Sequence, residues 1–191
     1  MIPRDFRTYF EIADVSAVSR RYFVIGFFDG LITIAGLIIG AFISGENDSK
    51  LILTIGFATA LALGISSMWG AFEIERIEQK VEKKRREKYM LSKLEDSIIE
   101  DAHRFATVFT SFIHGIAPIL GAIVLIIPYA FLSPLEAFEV AIAICCFSFF
   151  ILGVVIGKMG GENAVLNGLR MLVFGIVVIL VVLIINPGHV I

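Results

Sequence analysis

The sequence predicts an all-α polytopic membrane protein: five transmembrane helices, with a short cytosolic helical hairpin between spans two and three. Three observations lead there. The 191 residues are 58% hydrophobic, far more apolar than a soluble domain of that length. Apolar runs long enough to cross a hydrocarbon layer of roughly 30 Å occur five times. The charges are concentrated: Glu73–Arg104 holds nine of the 18 acids and nine of the 16 bases, so this segment is polar yet neutral.

Residues 1–21 form a cytosolic N-terminal segment, read as an amphipathic helix with Phe6, Tyr9, Phe10 and Ile12 on its apolar side. The spans fall at Tyr22–Ser44, Leu51–Phe72, Phe105–Leu132, Leu135–Gly157 and Ala164–Asn186. Residues 22–72 thus hold spans one and two, and residues 105–191 hold spans three to five. The first connection, Gly45–Ser49, has turn composition. The third, Ser133-Pro134-Leu135-Glu136, is a capping-box pattern with Pro at the first helical position. The fourth contains Gly160-Gly161, and Pro118 and Pro128 are expected to bend the third span. Between spans two and three, residues 73–104 contain neither Gly nor Pro. The chain must still turn back to the bilayer, and Ser92-Lys93-Leu94-Glu95 is a second capping-box pattern where a helix restarts. Two arms follow, Glu73–Met90 and Lys93–Arg104. Cys145 and Cys146, adjacent in an apolar run, read as small buried hydrophobes.

Placing the N-terminus in the cytosol and the C-terminus outside leaves 15 of 16 Lys and Arg residues on the cytosolic side. The expected location is a prokaryotic cell membrane. A net charge of −2 favours no class of partner, and nothing points to nucleic acid.

Several side chains carry chemistry. Asp29 is the one carboxylate well inside a span, and intramembrane acids are costly and functional by default. Gly26, Thr33, Gly36 and Gly40 fall within about 80° of one another and of Asp29, a small-residue face suited to close helix packing. A structural ion pair between Asp29 and Arg170, at matching depths, is the competing role. Met68, beside Ser66 and Ser67 at the end of span two, offers a soft ligand at that depth or simple packing. On the hairpin, Glu75, Glu78 and Glu82 share one helical row within about 60°, with Glu73 just before them, and Asp96, Glu100 and His103 form a second. Carboxylates with an imidazole suit Fe²⁺, Mn²⁺ and Zn²⁺; the alternative is a solvated helix pair of mixed charge. Glu-x-x-His facing a Glu is also the di-iron bundle pattern, although the chain has only three histidines. His114 in span three is a candidate proton relay or a hydrogen-bonding group across a helix seam. Glu136 is explained by capping, while Glu139 is free to attract exiting cations.

Phe28-Asp29-Gly30-Leu31-Ile32-Thr33-x-x-Gly36 and Ser66-Ser67-Met68 together resemble the vacuolar iron transporter family, over roughly Tyr22 to Asn186. Gly115-x-x-Pro118 and Leu169-Arg170-Met171-x-x-x-x-Gly175 are similar to weaker signatures of that family. The resemblance implies five spans, a homodimer with an ion path between the two first spans, and export of Fe²⁺ or Mn²⁺ from the cytosol in exchange for protons. It implies no enzymatic activity and no resident cofactor, the metal being cargo. Asp29 and Met68 match its intramembrane ligands, and Glu75 and Glu78 its first Glu-x-x-Glu row. Two departures stand out: Phe72 occupies the position where the family places a Glu, Glu73 coming one residue later, and the insert is short. The competing expectation is a non-transporting docking or sensor protein whose hairpin binds a metal or a partner.

Overall fold

The computed structural model describes Phe10 and residues 14–46, 48–90 and 98–185. Among these residues there is no strand. Five helices follow in order: α1 Val15–Ile43, α2 Ser49–Met90, α3 Ile98–Ile126, α4 Pro134–Met159 and α5 Ala164–Ile185. All five are long and apolar enough to cross a membrane. The restart pattern at Ser92–Glu95 and the expected ligand Asp96 lie outside the described residues.

Local chemistry accounts for the helix ends. α1 closes on Gly45 at φ 74°, with the Glu46 N–H donating to the Ala41 carbonyl at 3.0 Å. α4 closes in the same way on Gly161 at φ 68°, with the Glu162 N–H donating to the Gly157 carbonyl at 2.9 Å. Both are left-handed caps that a glycine adopts without a Cβ penalty. α4 opens as the capping pattern predicts: Glu136 Oε2 accepts from the Ser133 N–H at 3.2 Å and from its hydroxyl at 2.7 Å. Pro118 lies inside α3, whereas Pro128 belongs to a 3-10 turn, Ile127–Ala130, that ends the span. α1 begins at Val15, seven residues before the predicted start, because nothing in Ser16–Arg21 breaks a helix. At 42 residues, α2 is about 63 Å long, whereas about 20 residues cross a bilayer. Its charged half, from Glu73 on, therefore continues well past the apolar half as one helix.

The chain divides into two compact units. Unit two comprises Phe27–Leu63 and Pro118–Ile191. Its contacts are made by missing side chains. A Cβ on Gly30 of α1 would run into the Pro118 carbonyl oxygen of α3, and one on Gly121 of α3 would strike the Phe27 carbonyl oxygen of α1. In the α4–α5 pair, Gly153 faces Asn167 and Gly168, and Gly175 lies on the Phe149 ring. Phe28 adds ring contacts to Phe149 and Phe174 at centroid distances of 5.5 and 5.8 Å. Leu31, Ile34, Ile38 and Cys145 are fully enclosed.

Unit one comprises Met1–Gly26 and Gly64–Ala117. Here α2 and α3 run antiparallel. A Cβ on Gly115 would come within 2.6 Å of Met68 Cβ and 2.9 Å of the Gly64 carbonyl oxygen. Phe10 packs its ring on Phe105 and Phe109 of α3, at 5.7 and 5.2 Å. Phe6, Tyr9 and Ile12 lie outside the described residues.

Unit two bears on two expectations about Asp29. Its small-residue face is not the seam used inside the chain, since Asp29 is exposed and a Cβ on Gly36 would meet nothing within 4 Å. The close approach is at Gly30, about 100° further round α1, because α3 presents its own bare backbone there. Among the described residues no ion pair joins Asp29 to Arg170. Arg170 is exposed, about 200° round α5 from the Gly168 edge that packs on α4.

Candidate metal site

Unit one contains an open cleft of about 550 Å³. α2 supplies Glu75, Glu78, Gln79 and Glu82, α3 supplies His103 and Thr110, and α1 supplies Arg21. Helical spacing puts the three acids on one stripe of α2, and the antiparallel pairing of α2 with α3 sets His103 opposite them. The structure thus brings together four of the predicted ligands.

Each acid is held differently. Glu75 accepts a 2.6 Å hydrogen bond from the Tyr22 hydroxyl. Glu82 pairs with Arg86 one turn on, at 3.1 Å. Glu78 is exposed, with no ion pair among the described residues. His103 is held below the ordinary histidine value of 6.5, first by burial and then by the nearby Arg86 charge. It is therefore neutral at pH 7, the form in which an imidazole binds a metal.

Gln79 fixes the spacing of the walls. Its side-chain amide donates to the His103 carbonyl at 2.7 Å and also to the Thr107 hydroxyl. One turn on, Lys83 reaches Glu100 across the pair at 2.9 Å, and Arg104 holds the other oxygen of Glu100 at 3.1 Å. That carboxyl is pushed below the usual range, chiefly by the Lys83 hydrogen bond. Glu100 accordingly serves as a strut between the arms and does not line the cleft. Glu73 pairs with Arg76 and also lies outside it. Met68 is 36% exposed, with its stem on Gly115. His114 makes a seam contact: its Nδ1 lies 3.0 Å from the Tyr22 carbonyl, and its ring lies 4.8 Å from the Tyr22 ring.

Among the described residues, no three His, Cys, Asp or Glu side chains already converge on one point. The cleft holds separated carboxylates and one neutral imidazole, with Arg21 also in its lining.

The family model of the VIT family, the vacuolar iron transporters, matches residues 20–103 and 90–186. The chain belongs to this family. Its members are membrane metal transporters, and the five apolar helices agree with an integral membrane protein. The first match includes Asp29, Met68 and the whole acidic stripe of α2. The chain is also 33% identical over 173 residues to an uncharacterized protein of Methanocaldococcus jannaschii, with 89% of each chain covered.

Sequence reasoning missed Tyr22, Gln79 and Arg21 as parts of the site. Gln79 sits four residues after Glu75, about 40° round the helix, so the wheel places it beside the acids. Tyr22 has no such signal, because only tertiary packing brings it to Glu75 from 53 positions away.

Proposed function

We propose that the protein exports Fe²⁺ or Mn²⁺ from the cytosol in exchange for protons, as a homodimer with its N-terminus in the cytosol of a prokaryotic cell. The observation that carries this reading is the cleft of unit one, where Glu75, Glu78, Glu82 and a neutral His103 face one open volume in a protein of a metal-transporting family. The cleft captures the cation on the cytosolic side. Asp29 then binds it within the membrane, with Met68 as a soft ligand that disfavours Mg²⁺ and Ca²⁺. The exposed face of α1 bearing Asp29 and Gly36 is open to the same face of a second copy. A carboxylate that binds either a proton or a metal couples the two, since only its ionised form is a ligand. His114 assists as a proton carrier.

The test is transport in liposomes under an imposed pH gradient, with Fe²⁺ and Mn²⁺ uptake followed by a trapped indicator. Native protein is expected to give gradient-dependent flux, and Asp29→Ala to remove it. Equal flux from both proteins would sink the assignment of Asp29. Flux that ignores the gradient would sink proton coupling.

A further inference from the structure

Of the three acids in the cleft, Glu75 alone is oriented by a neutral donor. The distinction matters to a cation. Arg86 orients Glu82 but is itself a competing cation, and Glu78 has no ion pair among the described residues. The Tyr22 hydroxyl binds Glu75 Oε1 at 2.6 Å and brings no formal charge, and Oε2 has no hydrogen bond or ion pair among the described residues. Tyr22 is itself fixed. Its carbonyl takes the His114 contact at 3.0 Å, its ring lies 4.8 Å from the His114 ring, and the Arg21 guanidinium sits over the ring at 5.8 Å. The donor is therefore held in place before any cation arrives.

We infer that Tyr22 is a positioning residue for the cargo cation: its hydroxyl aims the Glu75 carboxylate into the cleft, so that Glu75 Oε2 meets a divalent ion without first reorganising. The inference rests on reading the cleft as the cation-capture site. Outer-sphere hydrogen bonds to a ligating carboxylate typically carry roughly 10- to 100-fold in metal affinity. Tyr22 belongs to α1, the helix that also bears Asp29, so the same bond ties cation capture to that helix.

The experiment titrates Mn²⁺ into the full chain in detergent and measures Mn²⁺ transport in liposomes. It compares native protein, Tyr22→Phe, Glu75→Gln, the double variant of those two, and Glu78→Gln. Tyr22→Phe keeps the ring and its carbonyl and removes only the donor. It is expected to weaken Mn²⁺ binding roughly 10- to 100-fold, raising KM for transport with kcat within about twofold. The double variant is expected to bind no more weakly than Glu75→Gln, because Tyr22 acts through Glu75. Unchanged affinity in Tyr22→Phe alongside a loss in Glu75→Gln would overturn the role of Tyr22 and leave the cleft standing. Additive losses in the double variant would also overturn it. Native affinity in Glu75→Gln and Glu78→Gln would remove the capture site and this inference together. An infrared difference spectrum of native protein with labelled tyrosine, taken on adding Mn²⁺, needs no Tyr22 variant. A tyrosine C–O band should shift in native protein and not in Glu75→Gln, and the absence of a shift in both would count against the inference.

Discussion

Unit two joins its helices where side chains are missing, whereas unit one adds a set of polar contacts to its close glycine contact at Gly115. In unit two, Gly30, Gly121, Gly153 and Gly175 let backbones or rings meet directly, and Phe28 fills between α4 and α5. In unit one, Tyr22 reaches Glu75, Gln79 reaches His103 and Thr107, Lys83 reaches Glu100, and His114 reaches the Tyr22 carbonyl. Physical chemistry explains both patterns. Lipid gives apolar helices no hydrophobic reason to associate, so close van der Waals contact at small residues does it. Where α2 and α3 carry charge, paired polar groups hold them and leave carboxylates available for a cation. Unit two is therefore intolerant of added volume, whereas unit one is sensitive to hydrogen bonding and pH.

The largest effect is expected where a glycine Cβ would strike the backbone of a neighbouring helix. Gly153→Leu drives a side chain into the α5 backbone at Asn167 and should cost about 3 kcal/mol or more, read as loss of monodisperse protein. Gly36→Leu is its control within the same unit. Its Cβ meets open space, so the thermal midpoint of the single chain should hold, while a dimer built on that face should dissociate on size-exclusion chromatography. Equal damage from both variants would erase the distinction drawn for unit two.

In unit one, Gln79→Ala removes both amide bonds to α3 and should cost about 1–3 kcal/mol in a thermal or denaturant melt. Thr107 keeps its own 3.1 Å bond to the His103 carbonyl, which holds the cost toward the lower end.

A smaller effect should follow pH. The His103 pKa is lowered in the fold, so between that value and 6.5 the unfolded chain binds more protons than the folded one. Its contribution is complete above 6.5 and is lost as pH falls through the folded value. The thermal midpoint should drop over that window in native protein and drop less in His103→Gln.

The smallest effect is expected at Lys83→Ala. The Lys83–Glu100 pair is only half-buried and remains open to screening by salt, so the melt should move by less than for Gln79→Ala. A change as large as that of Gln79→Ala would mean that charge pairing, not the amide, holds the arms together.

Much of the architecture can be read from residue type and spacing alone. Five apolar runs, the turn glycines Gly45 and Gly161 and the capping box at Ser133 each act over one or two helical turns, so composition suffices to place them. The acidic stripe Glu75, Glu78 and Glu82 is a matter of helical period, and it appears on one wall of the cleft. The described members of the second row differ: His103 lines the cleft and Glu100 is bound by Lys83 and Arg104, while Asp96 lies outside the described residues. Both have helical spacing, so period could not separate them; which of the two faces the acids depends on the rotation of α3 against α2.

The sequence by itself thus determined that this chain is a five-helix membrane protein with charge gathered beyond its second span, because hydropathy and helical period are local properties. The tertiary structure alone decided that Gly30 and not the Asp29 face packs inside the chain, that Arg170 makes no ion pair with Asp29, and that Tyr22 holds Glu75. Those outcomes depend on the rotation and register of one helix against another, set by side chains many positions apart.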